Sequence, residues 1–156
     1  MRPLFPPQYM DRAFELAREA ASYGEVPVGA VIVCDGAIVG EGRNATCGVP
    51  SGARPDPSAH AEIVAIRNAA GRLGRERLTD CSLWVTLEPC AMCAGAIIHA
   101  RVAALYYAAA DPKGGAVDHG PRLFTRDGCL HRPDVYSGMR ADESGALLRA
   151  FFAERR

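Results

Sequence analysis

The chain has 156 residues, 49% hydrophobic and 23% charged, with 18 basic and 18 acidic side chains and so no net charge. That is the arithmetic of one soluble globular domain over residues 1–156, large enough to bury a core without disulfides. It excludes collagen-like, disordered and disulfide-scaffold chains. A strongly basic, non-specific nucleic-acid binder is also excluded, and no stretch reaches the roughly 20 apolar residues of a membrane span.

Met1 to Gln8 hold prolines and an arginine but neither an apolar run nor a small-residue cleavage site, so no secretory signal is read there and a cytoplasmic protein is expected. In a reducing compartment the cysteines at 34, 47, 81, 90, 93 and 129 read as core residues, metal ligands or nucleophiles rather than bridges. From Gln8 to Ser22, Met10, Ala13, Phe14, Ala17, Ala20 and Ala21 recur at helical spacing, and Gly24 ends the helix. Val28–Cys34 and Ala37–Arg43 are β-rich runs joined by Asp35-Gly36, a hairpin signal because both turn residues must take positive φ. Ala45 to Ser58 is a long loop. A helix opens at Asp56-Pro57-Ser58, capped by Asp56 or Ser58, and runs to about Arg72. Cys81–Glu88 is a buried strand, Cys90 to about Ala100 a helix started by Pro89, and Val102–Ala109 another strand. Asp111–Asp127 is irregular and Asp134–Ser137 a short edge strand. Asp142–Arg155 closes the chain as a helix with Leu147, Leu148, Phe151 and Phe152 inward. A hairpin followed by strand–helix crossovers gives a mixed sheet with helices on both faces, an α/β layered domain.

Two motifs carry chemistry. His60-Ala61-Glu62 opens one helix, and Pro89-Cys90-Ala91-Met92-Cys93 opens another straight after a buried strand. Cys90 and Cys93 stand at i and i+3, so both sulfurs lie on one face of the first turn, where the helix N-terminus favours thiolates. Two thiolates and one imidazole make three protein ligands to zinc, and a fourth, open position marks a catalytic site. Glu62, two residues past His60, is poorly placed as a ligand at about 100° per residue but well placed to act beside the metal. Cys-x-x-Cys alone also suits a redox pair or half of a structural zinc site. Cys34, Cys47, Cys81 and Cys129 supply no fourth ligand at regular spacing, however, and Cys34 and Cys81 read as small hydrophobes inside strands.

His-x-Glu followed by Pro-Cys-x-x-Cys is the zinc deaminase signature. The chain resembles the bacterial tRNA-specific adenosine deaminases over nearly its whole length, through Glu25–Val31, Gly40–Asn44, Asp56–Ile63, Val85–Arg101, Asp111–Gly115 and the closing helix from Leu147 to Phe152. The resemblance implies a three-layer α/β/α cytidine-deaminase-like fold with a mixed five-stranded sheet and one Zn2+ per chain on His60, Cys90 and Cys93. It implies hydrolytic deamination of adenosine to inosine at the wobble position of a tRNA anticodon stem-loop, with Glu62 moving the protons. It further implies that Asn44 hydrogen-bonds the purine, that the Ala59 backbone and Val26–Val28 shape the pocket, and that Asp111 and Lys113 contact ribose and phosphate. Phe152, Arg155 and Arg156 would lie near flanking nucleotides, and a homodimer is expected. Read without the resemblance, Asn44 ends a strand, Asp111-Pro112 makes a turn, Phe152 is a core residue and the terminal arginines are solvated.

Two segments depart from the family. Fifteen residues separate Asn44 from His60, a longer loop than is usual, with the extra part at Cys47–Arg54. Arg122–Pro133 also differs, with Leu130 preceding His131 where the family commonly has Asn. Both lie where flanking nucleotides would bind. The alternatives are the same chemistry on a free nucleobase or nucleoside, of guanine or cytosine type, and a zinc-stabilised RNA-binding module without catalysis. Glu62 speaks against the last, because a structural site has no use for a carboxylate beside an open metal position.

Overall fold

A computed structural model describes residues 5–48 and 52–155. The five strands and four helices follow the expected order, with boundaries shifted by a few residues. Strands β1 (Gly29–Cys34) and β2 (Ala37–Arg43) form the hairpin, and Asp35 and Gly36 both take positive φ, 50° and 76°, as the turn demands. With β3 (Cys81–Leu87), β4 (Ala104–Ala109) and β5 (Asp134–Ser137) they make one sheet in the order β2-β1-β3-β4-β5. β1 pairs antiparallel with β2 and β3, and β3, β4 and β5 run parallel. This is the mixed five-stranded sheet expected above.

Helices cover both faces. On one lie α1 (Pro7–Ser22) and α4 (Ala141–Ala153), packing Met10, Phe14 and Leu147 against Val31, Val33 and Trp84. On the other lie α2 (Ala61–Leu73) and α3 (Ala91–Ala100), packing Ala65, Ala69, Ala94 and Ile97 against Ala30, Ile32, Leu83 and Val85. β1 is buried along its whole length because successive side chains enter two different cores. α1 ends as a Schellman turn: Gly24, at φ 78°, donates to the Ala21 carbonyl and Glu25 to that of Ala20, both at 3.0 Å.

α2 lies unusually close to β2. A Cβ on Gly40 would stand 2.4 Å from the Ala65 carbonyl oxygen, and one on Gly42 would stand 2.2 Å from that of Ala61. The glycines let the helix settle directly onto the strand backbone, which fixes the height of its N-terminus above the sheet.

Two expectations need correction. Neither Asp56 nor Ser58 caps α2, which begins only at Ala61 with His60 as N-cap. The Asp56 carboxylate instead accepts from the N–H and hydroxyl of Ser58 at 2.9 and 2.7 Å, a local turn that a short acidic side chain makes readily. Phe152 does not point inward: it is 48% exposed, while Phe151 is buried. The buried Ser144 hydroxyl donates to the Thr86 carbonyl at 2.5 Å and fixes which stripe of α4 meets the sheet. That stripe carries Ser144, Leu147 and Phe151 and turns Phe152 out.

Candidate active site

The site assembles where two helices begin. His60 is the N-cap of α2 and Cys90 the N-cap of α3, both with extended backbone, and Cys93 lies in the first turn of α3. β3 delivers α3, and the loop after β2 delivers α2, so the positive ends of both helices converge on one place. His60 Nδ1 stands 3.6 Å from the Sγ atoms of both Cys90 and Cys93. One donor atom from each of the three residues falls within 4.8 Å of the others, a grouping suited to a metal ion. Because His60 precedes the helix proper, its direction is set by an extended backbone rather than by the 100° step that the sequence suggested.

Glu62 stands beside these donors and not among them. It is buried, and the Cys93 thiol donates to its Oε2 at 3.4 Å. Burial pushes the Glu62 carboxyl up to about 7, against the pull of its hydrogen bonds. The thiols behave as a pair: hydrogen bonding from Cys93 pulls Cys90 down to about 5, and the proton then stays on Cys93, whose pKa is raised. A metal ion is what allows both sulfurs to be thiolates at once.

These residues open into a cavity of about 340 Å³ lined by Val26, Val28, Asn44, Thr46, His60, Glu62, Leu87, Glu88, Cys90, Asp111 and Gly114. That volume suits a small organic ligand. Of the substrate-binding expectations, Asn44 and Asp111 line it. Asn44 Oδ1 accepts from the Ala61 N–H at 3.0 Å, which leaves the amide nitrogen as its free donor. Asp111 Oδ1 accepts from the N–H groups of Lys113 and Gly114 at 3.2 and 3.0 Å, so the turn and the cavity wall are one structure. Ala59 stands just behind the wall: its N–H donates to the Asp56 carbonyl and its own carbonyl accepts from Ala45. Lys113 faces an adjoining cavity of about 680 Å³ that it lines with Leu148, Arg149, Phe152, Ala153 and Arg155. Cys47, Gly48 and Gly52–Arg54 of the long loop carry no helix or strand. Val49 to Ser51 and Arg156 lie outside the described residues.

Sequence reasoning missed two buried carboxylates, Glu88 in the cavity wall and Glu25, which holds Thr46 of the wall. Glu25 accepts from the Thr46 N–H and hydroxyl, both at 3.1 Å, and from the Cys47 N–H at 2.6 Å. Glu88, after β3, gathers the segment from Asp111 to His119. The only signal was an acidic residue at the end of an apolar run beside Pro89. A second sulfur–carboxylate group, Cys34, Asp80 and Cys81, lies among the described residues. Its carboxylate pairs with Arg75 at 2.6 Å, which puts a guanidinium where a cation would sit.

The sequence matches the MafB19-like deaminase family over residues 7–156. It is 50% identical over 148 residues to a tRNA-specific adenosine deaminase of Agrobacterium fabrum (strain C58), covering 95% of this chain and 94% of that one. The fold is similar to a solved tRNA:A34 deaminase, from work on A-to-I editing at the wobble position of transfer RNA. There the TM-score is 0.86 and the identity 48%, over 92% of this chain and 100% of the other. A guanine deaminase from Nitrosomonas europaea is more distant, at 27% identity and a TM-score of 0.73 over 96% of this chain and 85% of that one.

Proposed function

The chain belongs to the MafB19-like deaminase family and is one of the tRNA-specific adenosine deaminases, and we propose that Glu62 and a zinc ion on His60, Cys90 and Cys93 carry its conversion of adenosine to inosine at the tRNA wobble position. The observation that supports these roles is the buried Glu62 standing beside three clustered metal donors at the floor of a cavity. Two sulfurs and an imidazole nitrogen are a donor set that zinc takes, and three protein donors leave a fourth position, as catalytic sites do. When bound there, zinc supplies a water whose pKa falls toward about 7.

The protein's own groups do the rest. Glu62 takes a proton from the attacking water and places it on the purine ring nitrogen beside C6; it then takes the second proton from the hydroxyl added at C6 and gives it to the amine, which departs as ammonia as the C6 carbonyl forms. Its burial beside the donors suits a group that must both accept and return a proton inside the cavity. Asn44 donates its amide N–H to the purine, and Val26 and Val28 flank the ring. Asp111 and Lys113 meet the ribose and neighbouring phosphates, and Phe152 and Arg155 meet the flanking nucleotides. Ala59 supports the wall from behind through its hydrogen bond with Ala45. Local basic clusters, rather than the zero net charge, contact the RNA backbone.

We place the enzyme in the cytoplasm with its tRNA, as a homodimer, which light scattering tests. No helix among the described residues is long and apolar enough to cross a membrane. The deciding experiment incubates the zinc-loaded protein with an anticodon stem-loop carrying adenosine at the wobble position, and with free adenosine, guanine and cytidine in parallel. Inosine in the stem-loop, abolished by Glu62→Ala, is expected. Turnover of a free base alone would move the protein to the nucleobase reading with the same chemistry.

A further inference from the structure

Glu88 lines the substrate cavity, yet neither of its oxygens is available to a substrate. Oε1 accepts from the Asp111 N–H at 3.1 Å and faces His119 Nδ1 at 2.7 Å. Oε2 accepts from the N–H groups of Val117, Asp118 and His119 at 3.1, 3.0 and 3.2 Å. A carboxylate offers about four lone-pair sites, so these donors saturate it. Glu62 and Glu88, both buried carboxylates in one cavity, are therefore chemically unlike: in the proposed mechanism one takes and returns a proton, and the other, with all its lone pairs engaged, has no capacity to.

The segment that Glu88 gathers is anchored in the core at its middle by Ala116 and Val117, and Asp118 accepts from the Tyr107 hydroxyl, but the Asp111 N–H and the N–H groups of Val117, Asp118 and His119 all converge on Glu88. From Asp111 to Arg122 it contains no helix or strand and is broken by Pro112, Gly114, Gly115, Gly120 and Pro121. Backbone contacts at Gly115 and Ala116 reach the Asp111 and Pro89 carbonyls. Gly115 lies so flat on the carboxylate that a Cβ there would meet Glu88 Cδ and Oε2 at 2.5 Å. His119 covers the outer side, with its side chain 36% exposed and that of Glu88 at 0%.

We infer that Glu88 and His119 are a positioning pair for the deamination: the carboxylate, closed over by the imidazole, holds the 111–119 segment so that Asp111 and Gly114 form one wall of the substrate cavity. This rests on the assignment of that wall to the ribose and phosphates of the RNA. Neither side chain touches the reacting atoms. Their contribution appears in how well the stem-loop is held, not in the proton transfers that Glu62 performs.

The test measures kcat, KM and zinc content of the full-length, zinc-loaded enzyme on the anticodon stem-loop, well below each variant's melting temperature. His119→Ala removes one hydrogen bond to a charged acceptor and is expected to raise KM about tenfold, with kcat within about threefold of wild type and one zinc per chain retained. His119→Asn, whose amide donates from about the place of Nδ1, is expected to restore KM to within about twofold. Glu88→Gln turns an NH2 toward backbone donors and is expected to raise KM further with zinc retained. A merely structural pair would lower the melting temperature and leave KM unchanged, and that result overturns the inference. So does a KM rise in His119→Ala that His119→Asn does not relieve, or a fall in kcat alone. If the wild-type enzyme forms no inosine in the stem-loop, the functional assignment itself falls, a result distinct from any of these.

Discussion

The side-chain Oδ1 of Asn44 accepts the backbone N–H of Ala61 at 3.0 Å, so the first N–H of the helix that carries Glu62 is satisfied by the residue that follows β2. Its oxygen holds the helix, and in the proposed mechanism its nitrogen is the donor to the purine. The two separate by substitution. Asn44→Asp keeps an acceptor for Ala61, so its melting temperature is expected to stay near wild type while deamination of the stem-loop falls at least about tenfold with the lost donor. Asn44→Ala removes both and is expected to cost about 1 kcal/mol of stability as well. Thermal melts beside single-turnover rates decide it; equal melting temperatures in the two variants would deny the oxygen its hold on the helix.

The parts of this site that were legible in the sequence are those whose geometry is local. His60 and Glu62 are two residues apart, Cys90 and Cys93 three, and each pair sits at a helix start that its neighbours announce. Asp35-Gly36 was legible for the same reason. Glu25 and Glu88 were not, because each is defined by backbone N–H groups that arrive from 21 to 31 residues away. Asp56 misled because a short carboxylate caps a helix or closes its own turn with equal ease. Phe152 misled because a helical stripe wide enough to include it exists in the sequence, and only the Ser144 contact to Thr86 selects the narrower one. Local pattern fixes which residues can act, and long-range hydrogen bonds fix what holds them.

Gly42 tests whether the seat of α2 matters to the metal site. A methyl group there meets the Ala61 carbonyl at 2.2 Å and the Ala65 nitrogen at 2.6 Å, both backbone atoms that cannot swing aside. Gly42→Ala is expected to cost about 1–3 kcal/mol and to lift the N-terminus of α2, loosening His60. Zinc release to a colorimetric chelator should speed up in the variant. Unchanged release together with lost stability would show that α2 yields farther along its length.

The cysteines outside the metal group give a labelling pattern. Cys47 is exposed, whereas Cys34 and Cys81 are buried opposite each other on β1 and β3. Burial, and then the hydrogen bond with Cys34, push the Cys81 thiol up to about 12. A raised pKa keeps the proton on, so at pH 8 this thiol stays almost wholly protonated and unreactive. Iodoacetamide on the native zinc-loaded enzyme at pH 8 should therefore modify Cys47 first and leave Cys81 untouched, read by peptide mass spectrometry. Early loss of Cys81 would contradict its burial.

Phe152 and Lys113 share the cavity beside the active site, with Arg149 and Arg155 around them. An aromatic ring 48% exposed among cations is suited to stack an unpaired base while the cations meet phosphates. Phe152→Ala is expected to weaken stem-loop binding by about 1–3 kcal/mol with little change in melting temperature, because the ring buries little of itself in the core. Lys113→Ala is expected to lower the slope of log affinity against log salt by about 1. Any deamination of free adenosine should be indifferent to both, because a nucleoside has no flanking base or phosphate. Binding measured across a salt series separates the two contributions. A Phe152→Ala variant that binds the stem-loop as tightly as wild type would leave the ring with no part in RNA recognition.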